Sequence, residues 1–125
     1  MGPQPAELEA MALHFARAWV NGDIRDLESM LSPSGVRLHI HGDLYPSVTV
    51  PRAVGALEAF LGRYPGGEAE LVRVSQSSGT ETHGFADFQW RTAVAGTGEV
   101  VIFTLFVGLT MEADVWTVTE IRVLA

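Results

Sequence analysis

The sequence predicts an α+β fold with helices and strands largely segregated along the chain. Three observations carry that reading. Apolar residues recur at helical spacing in the stretches 6–20, 24–31 and 50–64, all in the first half. From residue 68 onward the pattern becomes strand-like and is interrupted by Gly-rich turns. No helical stretch separates the later strands, so they form an antiparallel meander rather than βαβ units.

Each element has its own signals. Residues 1–5 read as a disordered tail, followed by one domain over 6–125. The first helix sets Leu8, Met11, Ala12, Phe15 and Trp19 on one stripe and stops at Asn21-Gly22, where Gly tolerates the left-handed cap conformation. Asp23 caps a short second helix carrying Ile24, Leu27, Met30 and Leu31. Ser32-Pro33-Ser34-Gly35 ends it. Residues 36–41 alternate strictly, with Val36, Leu38 and Ile40 opposite Arg37, His39 and His41. Gly42-Asp43 is a turn, and an extended piece runs to Val48. The third helix starts after Thr49, with Pro51 tolerated in the first turn, and ends at Pro65-Gly66-Gly67. Strands follow at 68–77, 83–94, 99–109 and 115–124, with Ala95-Gly96-Thr97-Gly98 as a hairpin loop.

The strand faces are unequal. Ala86, Phe88, Trp90, Thr92 and Val94 form an apolar face, and Phe85, Asp87, Gln89 and Arg91 a more polar one. Simple alternation sets Val115, Thr117, Thr119, Ile121 and Val123 against Trp116, Val118, Glu120, Arg122 and Leu124. Residues 100–109 are apolar on both faces, whereas antiparallel sheets usually leave one face wet. Helices cover one side. A second copy of the chain is the simplest cover for the other, so a homodimer through the sheet face is expected.

Composition excludes several mechanisms. The 125 residues are 47% hydrophobic, too apolar for a disordered chain. The chain contains no Lys, which removes a Schiff-base lysine and a Walker phosphate loop. It contains no Cys, which removes disulfides, thiol nucleophiles and cysteine metal sites. A net charge of −7 with singly scattered arginines argues against nucleic acid and against an anionic membrane surface. The N-terminal stretch has Glu7 and Glu9 and no basic residue, unlike a secretory signal. The longest uncharged run, 100–111, is shorter than the roughly 20 residues of a membrane span. A cytoplasmic protein is therefore expected.

The order of elements resembles the nuclear-transport-factor-2-like superfamily over about residues 6–124. The matching stretches are Phe15, Trp19 and Asn21-Gly22-Asp23 with Leu27 and Leu31, then Ala56-Leu57 with Phe60, then the closing run 116–123. The resemblance implies three helices packed on a strongly curved, mostly antiparallel sheet, a cystatin-like cone. It also implies a pocket between helices and sheet. The superfamily holds ketosteroid isomerases, cyclases, dehydratases, adaptors and many uncharacterised bacterial proteins, which this chain resembles most. Fold therefore does not imply function.

The isomerase pattern can be tested residue by residue. It implies a general-base Asp in the loop before the third helix. Alignment on Ala56, Leu57 and Phe60 puts Leu44 there, one residue after Asp43. The pattern also needs a Tyr and a protonated carboxylic acid to hold the oxyanion. The first helix offers His14 and Phe15 instead of Tyr, and the central strand only Thr104.

Six residues are the candidate ligand contacts: His39, His41, Asp43, Tyr45, Phe60 and Trp90. The His39-x-His41 spacing with Asp43 can suit a metal on a strand, but it lacks an identifiable third ligand unless His83 joins it. A solvated strand face accounts for it better, a pocket role without metal is the next reading, and neither metal nor cofactor is expected. Asp87, Gln89, Arg91, Glu120 and Arg122 read as cross-strand ion pairs outside the cone. Glu112 and Asp114 read as solubilising strand ends. The leading expectation is a homodimeric domain that binds a small, apolar ligand. The alternatives are an isomerase-, dehydratase- or cyclase-type enzyme using Asp43 or a strand histidine as base, and a non-catalytic adaptor.

Overall fold

A computed structural model describes residues 5–77 and 82–125. The expected tail at 1–5 lies outside the described residues except for Pro5, where the first helix already begins. The helices are α1 (Pro5–Asn21), α2 (Ile24–Met30) and α3 (Val50–Arg63). The strands are β1 (Val36–Ile40), β2 (Asp43–Val48), β3 (Glu68–Gln76), β4 (His83–Ala93), β5 (Val100–Glu112) and β6 (Val115–Leu124). They form one curved, unclosed sheet in the order β2-β1-β6-β5-β4-β3. Every pairing is antiparallel except β1 with β6.

The helices end where the sequence requires. Gly22 takes φ +63°, and Asp23 N donates to Ala18 O at 2.9 Å, closing α1. Asp23 Oδ1 then accepts from Asp26 N at 3.2 Å and caps α2. His14 Nε2 lies 2.7 Å from Asp26 Oδ2, tying α1 to α2. Thr49 occupies the N-cap of α3 without a side-chain hydrogen bond. Gly67, at φ +86°, passes so close to β4 that a Cβ would sit 1.9 Å from Arg91 O. Trp90 Nε1 donating to Gly66 O at 2.9 Å and Thr92 Oγ1 donating to Pro65 O at 2.8 Å hold that approach.

Register sorts the two sheet faces into rows. On the inner face Asp43, Ile40, Val123, Leu105, Phe88 and Leu71 stand opposite one another across all six strands. Tyr45, Leu38, Ile121, Val107, Ala86 and Val74 form the next row. Helices cover this face, and an aromatic cluster fills it. Trp90 stacks on Phe103 at 5.2 Å and meets Trp19 edge-on at 5.4 Å, with Phe60 5.9 Å away.

Simple alternation fails in β6. Gly108 pairs with Glu120 but Leu109 pairs with Val118, which leaves Thr119 as an extra residue. The bulge puts Trp116 and Val118 on the inner face together with Ile121 and Val123, all buried. Extra residues also occur at Val72 in β3 and between Tyr45 and Val48 in β2. Both edge strands are thus irregular, which blunts edge-to-edge pairing.

On the outer face one row reads Leu44, His39, Arg122, Phe106, Asp87, Arg73. Phe106 stacks on Phe85 at 5.5 Å, Arg122 lies over Phe106 and Arg73 over Phe85. Arg73 pairs with Asp87 at 3.0 Å, and Arg122 with Glu120 at 3.5 Å. Two guanidiniums thus cover part of the apolar outer surface of β4 and β5. Val100, Ile102 and Leu124 stay exposed.

Candidate functional site

One cavity lies between the β1–β2 hairpin and α3. Its volume is about 140 Å³, and its lining is Ile40, His41, Asp43, Tyr45, Ala56, Ala59, Phe60 and Arg63. Ala56, Ala59, Phe60 and Arg63 fall at i, i+3, i+4 and i+7 of α3, the spacing of one helix face. Asp43 and Tyr45 enter from β2, where register places them on the inner face beside Ile40 and Leu38.

His41 arrives by another route. The strand ends at Ile40, and His41 adopts φ +46°, in the left-handed region that a non-Gly residue rarely occupies. Its backbone N–H donates to Val123 O at 3.0 Å, which fixes the turn. The ring lies edge-on to Phe103 at 5.4 Å and to Tyr64 at 6.0 Å. Arg63 closes the rim, its guanidinium 5.5 Å from the Tyr64 ring centre. The bed, Phe60 and Ile40, is buried and apolar. The rim presents a carboxylate, an imidazole, a phenol and a guanidinium. Such a site can hold a small molecule with an apolar body and a polar group at the mouth.

The six sequence candidates therefore separate. His41, Asp43, Tyr45 and Phe60 share the cavity. Trp90 lies behind Phe60, fully buried and bonded through its indole to Gly66. His39 faces outward and borders a different hollow with Arg37, Leu44, Pro46 and Arg122. The turn at His41 is the reason: it takes the imidazole off the outer face that alternation assigns to it. His39 and His41 therefore do not form a chelating pair. Among the described residues no group of three or more His, Asp or Glu side chains is placed to hold a metal ion. Thr104, the only candidate that the central strand offers for an oxyanion donor, is exposed on the outer face.

Sequence reasoning missed Arg63, although its helical spacing to Phe60 was readable. It also missed the role of Glu112. This carboxylate is half-buried rather than a free strand end. It accepts from Ser32 Oγ at 2.7 Å, from Ser34 Oγ at 3.3 Å, and from Thr117 Oγ1. Those bonds, Thr117 first and Ser32 next, outweigh partial burial and hold it below its ordinary value of 4.5. They join the α2–β1 loop to the β5–β6 hairpin, at the far end of β1 from the cavity.

No protein-family model matches the chain, and no curated protein matches it. Solved structures do. A ketosteroid isomerase-like protein from Erwinia carotovora atroseptica superposes with a TM-score of 0.76 at 17% identity, covering 98% of this chain and 96% of that one. A DUF4783 family protein from Bacteroides uniformis gives 0.73 at 19%, covering 89% and 93%. A hypothetical protein of ketosteroid isomerase-like fold from Catenulispora acidiphila, in complex with trimethylamine, gives 0.68 at 11%, covering 92% and 84%. The chain has the nuclear-transport-factor-2-like fold, with uncharacterised bacterial proteins among its structural neighbours. Identities this low carry the fold and no function.

Proposed function

We propose that this chain is a small-molecule-binding domain whose ligand occupies the cavity between α3 and the β1–β2 hairpin. One observation carries the reading: His41, Asp43, Tyr45 and Arg63 converge on an apolar bed of Ile40, Ala56, Ala59 and Phe60. A volume of about 140 Å³ is well below the roughly 300–1,000 Å³ of sites for drug-sized molecules, so the ligand has few heavy atoms. The trimethylamine held by the Catenulispora protein is a ligand of that scale. Trp90 and Trp19 act from behind, keeping Phe60 in place. The test is a screen of small amines, carboxylates and ketones followed by amide NMR. The expected result is saturable shifts at His41, Tyr45, Phe60 and Arg63 that Ala59→Trp abolishes. Shifts elsewhere, or shifts indifferent to Ala59→Trp, overturn the assignment.

A second reading, proton transfer at the same cavity, rests on the strained backbone of His41 beside Asp43. Backbone strain of this kind concentrates at functional sites. On that reading Asp43→Asn removes turnover of a bound substrate while leaving its binding within a few-fold.

The same proposal makes the domain a homodimer through the outer sheet face. Exposed Val100 (54%), Ile102 (49%) and Leu124 (38%) support it. Sedimentation at micromolar concentration is expected to give twice the 13.5 kDa chain mass, and Ile102→Glu to give the chain mass. A wild-type species of one chain contradicts this part.

A further inference from the structure

The outer face carries a second hollow, of about 420 Å³, bordered by Arg37, His39, Leu44, Pro46 and Arg122. Its composition follows from register. Arg37 and His39 are alternate residues of β1 on the face away from the core. The parallel pairing of β1 with β6 sets Arg122 opposite His39. The antiparallel pairing with β2 sets Leu44 opposite His39 on the other side. Imidazole is thus flanked in one row by a guanidinium and an apolar side chain, with Arg37 and Pro46 alongside.

This is an unusual concentration for a chain with a net charge of −7 and only eight basic residues. The facing acid is Glu120, which stands opposite Arg37 in register and 3.5 Å from Arg122 Nε. Two guanidiniums against one carboxylate leave the hollow positive. Distant acids act weakly on it, because at 0.15 M salt charges are screened beyond about 8 Å. Leu44 is 63% exposed at the wall, an apolar surface open to solvent.

We propose that this hollow binds an amphipathic organic anion. Arg37 and Arg122 hold its carboxylate or phosphate head, since guanidinium geometry matches both. Leu44 and Pro46 pack on its apolar body. The hollow opens on the face opposite the α3 cavity, so the two sites are independent. It borders the proposed dimer surface at Leu124, two residues beyond Arg122 on the same face of β6, whereas Val100 and Ile102 sit farther off, where β5 runs past the end of β6.

The experiment is a titration of the full chain with sodium decanoate at pH 7, followed by amide and imidazole NMR. Inorganic phosphate and decyltrimethylammonium serve as comparison probes. The expected result is saturable shifts at Arg37, His39, Leu44 and Arg122, unchanged in Ala59→Trp. The Arg37→Gln/Arg122→Gln double variant weakens binding at least ten-fold, and inorganic phosphate binds at least ten-fold more weakly than decanoate. Leu44→Glu, which leaves both arginines in place, gives the same loss if the double variant does not fold. Equal shifts from decyltrimethylammonium mean simple apolar adhesion and overturn the proposal. Decanoate shifts confined to His41 and Arg63 place the anion in the α3 cavity and overturn it too. So does an affinity that none of these substitutions changes.

Discussion

Two residues show how single positions hold this fold. Glu112 accepts hydroxyl donors from Ser32, Ser34 and Thr117, and its proton affinity is lowered by them. A carboxylate depressed in the folded state stabilises above its unfolded value and loses that contribution as pH falls through the folded one. Stability is therefore expected to drop from about pH 4.5 downward. Glu112→Gln is expected to cost about 1 kcal/mol at pH 7 and to flatten that acid-side decline. Thermal melts of both proteins between pH 3 and 7 check this, and parallel declines contradict it. Gly67 combines a positive φ with the 1.9 Å approach to Arg91 O. Gly67→Ala is expected to cost about 3 kcal/mol or more, read from denaturant midpoints.

At the scale of elements, periodicity located all three helices and every later strand, because each buries one face of a regular repeat. It failed where backbone geometry broke the repeat. A bulge at Thr119 is invisible to alternation, since one extra residue reverses every side chain beyond it. Deleting Thr119 is expected to leave a regular strand with Trp116, Val118, Ile121 and Val123 all still inward, and therefore to keep cooperative unfolding. Loss of the cooperative melt in the deletion variant contradicts the bulge. Gly42 marks the next turn, at φ +98°, but nothing marks His41 as sharing its left-handed backbone, which moved that residue from the outer face to the cavity. The β5–β6 hairpin turns on Ala113 and Asp114, at φ +50° and +66°, between the paired residues Glu112 and Val115. Two-residue turns of that hand favour Asn-Gly. Ala113→Asn/Asp114→Gly is expected to raise stability by about 1–2 kcal/mol, seen as a higher Tm.

At the scale of the whole molecule the fold was legible and the site only half so. Asp43, Tyr45 and Phe60 were readable because register and helix spacing bring them together. Trp90 was readable as facing inward, but not as walled off by Trp19, Phe60 and Phe103, because depth depends on packing that no local pattern encodes. That aromatic packing fills the cone and leaves a cavity of about 140 Å³ at its rim. Among the described residues no helix is long and apolar enough to cross a membrane. The proposed function puts a ligand in the rim cavity. Native mass spectrometry of wild type and Ala59→Trp, each purified from the natural host without a tag, tests it most directly. Wild type is expected to carry a small non-covalent mass that is missing from Ala59→Trp. The same adduct on both proteins, or none on wild type, would contradict it.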